Sequence, residues 1–128
     1  MRKESIMSDG IRALIGKTLV CIDGVEGDEE IIFTAKSGEK YMMYHRQECS
    51  ESVSVEDICG DTKDLLGSPI LDAFEKTSND NPDGVRMQYQ DSFTWTFYTI
   101  VTARGAVTIR WYGESNGYYS ESVEFELI

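Results

Sequence analysis

The chain has 128 residues, with 12 Lys plus Arg against 23 Asp plus Glu, a net charge of −11 and a pI of about 4.4. That is one domain's length, and a hydrophobic fraction of 41% with 11% aromatics excludes a disordered chain. No apolar run approaches the ~20 residues that span a bilayer, and so large an acidic excess argues against direct binding to nucleic acid or an anionic membrane, which needs clustered Lys and Arg.

Residues 1–7 read as a leader, with Met7 as an alternative start to Met1, and Met1-Arg2-Lys3-Glu4 is followed by no apolar stretch of a secretory signal. Ser8 or Asp9 is a candidate N-cap for a short helix carrying Ile11, Leu14 and Ile15 at i, i+3, i+4 and closed by Gly16. The expected division is therefore a leader and short helix over 1–14 and a single α+β domain over 15–128.

Three strands are expected next: Thr18 to Asp23, Glu30 to Lys36 and Lys40 to Arg46. Gly24-Val25-Glu26-Gly27-Asp28 and Ser37-Gly38-Glu39 supply their turns, which makes an antiparallel meander. Val55, Ile58 and Cys59 then stand at i, i+3, i+4 behind Ser54, a spacing that predicts a short helix over 54–59 broken by Gly60. A further helical turn is expected over 61–66, ending at Gly67. Ile70 to Thr77 reads as a strand, and Ser78-Asn79-Asp80-Asn81-Pro82-Asp83-Gly84 as a loop.

In the last third, Trp95, Phe97, Thr99 and Val101 alternate with Thr96, Tyr98 and Ile100. Val107, Ile109 and Trp111 alternate with Thr108, Arg110 and Tyr112, and Val123, Phe125 and Leu127 with Glu124 and Glu126. This predicts a three-strand antiparallel meander with one apolar and one polar face, Gly113 to Gly117 forming its second loop. The expected fold is α+β, mostly antiparallel sheet in two meanders, with a short N-terminal helix and a short central helical segment. Open strand edges leave a homodimer by sheet extension available.

Three constellations could carry chemistry. The spacing His45-x3-Cys49-x9-Cys59 supplies soft ligands for zinc, with Cys21 or Asp57 able to complete four; the alternative is a histidine that ends a strand, with cysteines packed as small apolar residues. The odd cysteine count without a C-x-x-C pair fits a reducing cytoplasm. Glu48, Glu51, Glu56, Asp57, Asp61 and Asp64 make the densest acidic stretch, either a solvated face or one that meets a basic surface. Trp111, Tyr112, Ser115, Asn116, Tyr118 and Tyr119 combine aromatics with small polar residues, either a recognition loop or plain sheet packing. Arg110 has Glu124 or Glu126 as expected partners across the last hairpin. Neither a nucleotide-binding glycine loop nor a protease or hydrolase signature occurs, and no residue is assigned as catalytic.

The stretches Tyr44-His45, Cys49-Ser50-Glu51-Ser52-Val53, Val55-Glu56-Asp57-Ile58-Cys59-Gly60-Asp61 and Leu65-Leu66-Gly67-Ser68-Pro69-Ile70 resemble a family of small bacteriophage and prophage proteins. So do Thr94-Trp95-Thr96-Phe97-Tyr98 and the run from Val107 through Arg110-Trp111-Tyr112-Gly113-Glu114-Ser115-Asn116-Gly117-Tyr118-Tyr119 to Val123. The resemblance covers most of residues 15–126. It implies a phage-encoded domain of unknown function acting in the host cytoplasm, and it implies no reaction, cofactor or catalytic residue.

The function expected is an interaction protein that binds a host protein with a basic surface, such as a nucleic-acid-handling defence factor. The acidic stretch would supply the electrostatics and the aromatic loop the anchors. Two alternatives stand beside it: a small-molecule-binding or hydrolytic domain built on His45, Cys49 and Asp57, and a domain stapled by zinc.

Overall fold

The computed structural model describes residues 10–82 and 92–128. Eight strands follow one another: β1 (Leu19–Asp23), β2 (Glu30–Ala35), β3 (Lys40–Tyr44), β4 (Ser52–Cys59), β5 (Ile70–Ser78), β6 (Ser92–Thr102), β7 (Gly105–Ser115) and β8 (Glu124–Leu127). They form two four-stranded antiparallel sheets, ordered β1-β2-β3-β8 and β4-β7-β6-β5. Helical structure among the described residues is confined to two single 3-10 turns, Gly10–Leu14 and Thr62–Leu65. The first puts Ile11 and Leu14 into the core, as their spacing predicts; its expected cap, Ser8 or Asp9, and the leader lie outside the described residues, as do Asp83 and Gly84 of the expected loop.

Period-two patterning makes the sheets. Ile31, Phe33 and Ala35 of β2 are buried while Ile32 and Thr34 are not, and Tyr41 and Met43 repeat this on β3. The second sheet answers with Val53, Val55, Tyr98, Ile100, Val107, Ile109 and Trp111, and the two sets form one core. The Trp111 indole Nε1 donates to Met43 Sδ at 3.1 Å, which ties the sheets together at their centre. Backbone bonds join the sheets at two further places. Gly27 N donates to Val55 O at 2.8 Å and Val55 N to Asp28 O at 2.9 Å. Elsewhere, Gly16 N donates to Ile70 O and Ile70 N to Lys17 O, both at 2.8 Å.

Four expectations are corrected. Residues 54–59 are strand, not helix: a register shift between Val55 and Asp57 breaks the alternation and leaves a helix-like spacing of apolar residues. Gly60 ends that strand rather than a helix, at φ +110°, where a Cβ would lie 2.7 Å from the Ala106 carbonyl oxygen. The last strand does not continue the C-terminal meander. Both edges of β7 are taken by β4 and β6, so β8 crosses to the other sheet and pairs with β3, Met43 opposite Phe125. Gly113 lies within β7, between Val53 and Thr94 on the flanking strands, and the loop starts only after Ser115.

Nor is the outer face of the second sheet polar. Trp95 is fully buried there; its ring stacks on Phe97 at 6.1 Å, tilts against Tyr112 at 4.9 Å, and donates from Nε1 to Asn81 Oδ1 at 3.0 Å.

Candidate functional site

Just after β3, His45 turns both ring nitrogens inward. Nδ1 lies 2.7 Å from the Ser122 carbonyl, which can only accept, so Nδ1 donates. Nε2 lies 2.8 Å from Glu51 Oε2, and both side chains are almost completely buried. Glu51 also accepts the backbone N–H groups of Glu48 and Cys49, each at 2.8 Å. Burial alone would push its carboxyl up. The His45 bond and the two N–H bonds together outweigh that and hold it at about 2. The Gln47 amide closes the turn by donating to Glu51 O at 2.6 Å and Cys49 O at 3.1 Å.

A second buried carboxylate, Glu121, accepts from Thr94 Oγ1 at 2.8 Å and Ser115 Oγ at 2.5 Å. Glu51 and Glu121 therefore anchor two loops, 45–51 and 116–123, and His45 joins those loops through Ser122. Tyr119 meets the thiol of Cys49, and that contact raises the phenol's pKa. The histidine cluster and the aromatic loop, separate in sequence, thus share one end of the molecule.

The six residues of the aromatic segment have different fates. Trp111 is core and Tyr112 is buried against Trp95. Ser115 serves Glu121, and Asn116 Oδ1 caps Tyr118 N at 2.9 Å. Tyr118 is 82% exposed and meets Tyr119 edge-on at 4.9 Å. The contact surface available to a partner is therefore Asn116, Tyr118 and the half-buried Tyr119.

The acidic stretch divides in the same way. Glu51 is consumed internally. Asp57 is clamped by Arg110, Nε to Oδ1 at 2.6 Å and Nη2 to Oδ2 at 2.5 Å. That bond lowers the Asp57 pKa and raises that of Arg110. Arg110 also sits 5.7 Å over the Trp95 ring. Its expected partners, Glu124 and Glu126, belong to the other sheet, so that pairing is corrected. Asp61 caps the second 3-10 turn by accepting Lys63 N at 3.0 Å. Asp64 is half-buried beside Gly105, and its carbonyl accepts Thr102 Oγ1 at 2.6 Å. Glu48 and Glu56 remain exposed.

The fold adds acids that sequence reading left aside. The β1–β2 loop lies along β4 through the Gly27, Asp28 and Val55 bonds, which brings exposed Glu26 and Glu29 to the strand that carries Glu56. Between this loop and the end of β4 runs an open groove of about 400 Å³. Val25 and Ile58 give it apolar walls, and Glu26 and Asp61 acidic ones. Glu26 and Glu29 are visible in the sequence, but only the docking of their loop on β4 brings them beside the strand that carries Glu56.

His45, Cys49 and Cys59 are not gathered round a common point. Both His45 nitrogens are engaged, Cys49 meets Tyr119, and Cys59 lies 3.9 Å from Asp57. All three cysteines are exposed free thiols, and among the described residues no three His, Cys, Asp or Glu side chains are grouped as a metal site. Nor, among the described residues, is any helix long and apolar enough to cross a membrane.

A family model for a domain of unknown function, DUF7448, matches residues 12–125. The chain belongs to the DUF7448 family. The match takes in seven strands, the start of β8 and both anchored loops of the DUF7448 domain, so the buried Glu51 and Glu121 lie inside it. No curated protein and no solved structure matches the chain.

Proposed function

We propose that this DUF7448 domain is a phage-encoded interaction protein, not an enzyme, that binds a basic surface on a host protein in the host cytoplasm. A nucleic-acid-handling defence factor is the class of partner its charge fits, because such proteins carry the clustered Lys and Arg that phosphate binding needs. The observation that carries the reading is the acidic rim: Glu26, Glu29 and Glu56 stand exposed where the β1–β2 loop docks on β4, whereas Glu51 and Asp57 have internal partners. Exposed unpaired charge on a chain of net charge −11 favours fast, salt-sensitive association. Tyr118 offers an aromatic anchor.

The test is a tagged pull-down from host lysate washed at low and high salt, followed by association kinetics with the purified partner. Charge reversal by Glu26→Lys, Glu29→Lys and Glu56→Lys together is expected to slow association by roughly tenfold or more at low salt, with little change in folding. Unchanged kinetics would refute the acidic rim as the binding surface. Asp57 is unsuitable for reversal, because losing it would also strand Arg110.

A further inference from the structure

The groove between the β1–β2 loop and the end of β4 has two walls that the fold holds in place. One is the loop. Val25 N donates to Asp28 Oδ2 at 2.9 Å and Asp28 N to Val25 O at 3.1 Å, while the Gly27 and Val55 bonds seat the loop on β4. Gly24 lets it lie close, since a Cβ there would come within 2.7 Å of Ile31 Cγ1. The loop so held presents Val25, 63% exposed, with exposed Glu26 beside it. The other wall is Ile58, which packs against the edge of the core, followed by Gly60 and the exposed Asp61.

Neither carboxylate is matched by a cation. Glu26 has no hydrogen bond or ion pair among the described residues, and Asp61 spends only Oδ1, on Lys63 N. Apolar surface bordered by two carboxylates suits a group that is apolar along its length and cationic at its end. Arginine meets this better than lysine. Its guanidinium carries five N–H donors in one plane, serves acceptors on two sides at once, and is less strongly hydrated than the compact ammonium. The volume of about 400 Å³ is in the lower part of the ~300–1,000 Å³ range of ligand sites. Sites for free small molecules enclose most of their ligand. This groove is open, as entry of a side chain from the surface of a second protein requires.

We infer that the groove receives an arginine side chain of the partner protein, its methylenes along Val25 and Ile58 and its guanidinium between Glu26 and Asp61. This rests on the reading of the domain as a binder of a basic protein surface, and it gives that surface a specific anchor. Rim charge draws the partner in, and the groove holds one of its arginines. The two roles separate kinetically, because exposed rim charges act on association and a seated side chain on dissociation.

The probe is N-acetyl-arginine amide, titrated into the isotope-labelled full chain at about 0.15 M salt, where a Debye length of ~8 Å screens diffuse attraction to the net charge. Backbone amide shifts are expected at Val25, Glu26, Gly60, Asp61 and Thr62, with a Kd on the order of a millimolar for so small a ligand. N-acetyl-citrulline amide, of the same shape without the charge, should not bind, and N-acetyl-lysine amide should bind more weakly. Asp61→Asn keeps an oxygen to cap the 3-10 turn and removes only the charge. Glu26→Gln and Val25→Ser change exposed side chains. Each variant is expected to weaken the probe by roughly two- to fivefold with the rest of the spectrum unchanged. With the purified partner, Asp61→Asn should speed dissociation and leave association nearly unaltered. If it alters neither while the triple charge reversal still slows association, the groove fails and the rim stands; localised probe binding with association indifferent to the reversal is the opposite case. Shifts scattered over the acidic surface, equal binding of the lysine or citrulline compound, or indifference to all three variants would overturn the inference. So would spermidine occupying the same residues at micromolar concentration, which would make this a site for a free polyamine.

Discussion

His45 shows how a residue suited to catalysis is used up in structure. It spends one nitrogen on the Ser122 carbonyl and the other on a buried carboxylate, so His45→Ala strands Glu51 and unties two loops. A fall in Tm of about 5 °C or more is expected, with Glu51→Gln milder because it removes the charge. The acid limb follows from the carboxyl's position. Glu51 titrates near 2 when folded against an ordinary value of 4.5, so its contribution is fully present above about 4.5 and is lost as pH falls through about 2. Urea titrations between those values should show a decline that Glu51→Gln flattens. Gly113→Ala is expected to cost about 1–3 kcal/mol, because the added Cβ meets Glu121 O and Val53 Cγ2 at 3.0 Å with backbone on one side. The sequence shows that glycine, yet its need for close approach rather than for a turn appears only when Glu121 folds back over it.

At the level of elements, the strands with plain alternation were legible: β2 and β3 lie within two residues of where their patterns put them, while β6 starts three residues before Trp95 and β7 runs on through Gly113 to Ser115. β4 was not. Its bulge turns a period-two strand into an i, i+3, i+4 imitation, and local pattern cannot tell them apart. The destination of β8 was hidden for another reason. Neighbours in sequence are usually neighbours in a sheet, but the edge that β8 needed was already filled by β4, a strand far upstream that ends at Cys59. Phe125 secures the crossing by stacking on Tyr41 at 5.6 Å and tilting against Phe33 at 5.7 Å. Phe125→Ala should cost about 2–3 kcal/mol by chemical denaturation and leave the β6–β7 hairpin the better protected in hydrogen exchange.

Across the whole molecule, charge and mass were readable and their distribution was not. The acidic stretch is one run in the sequence, but in the fold half its members cap, clamp or anchor, while Glu26 and Glu29 of another hairpin are exposed beside the strand that carries Glu56. The aromatic segment split likewise between core and surface, because β7 runs three residues past Tyr112, through Gly113 where a loop was expected to begin. The bond from Tyr44 to Glu126 spans 82 residues. Closing so long a segment costs entropy before any pairing repays it, so the first sheet must wait, three strands deep with β3 bare, while the tight β6–β7 hairpin is already made. Stopped-flow refolding should still be slow, on the order of milliseconds to seconds, because the second sheet itself needs non-local pairing, Ser52 of β4 lying opposite Glu114 of β7. Phe125→Ala should leave the refolding rate nearly intact and speed unfolding, the kinetic mark of a strand that arrives after the barrier has been crossed.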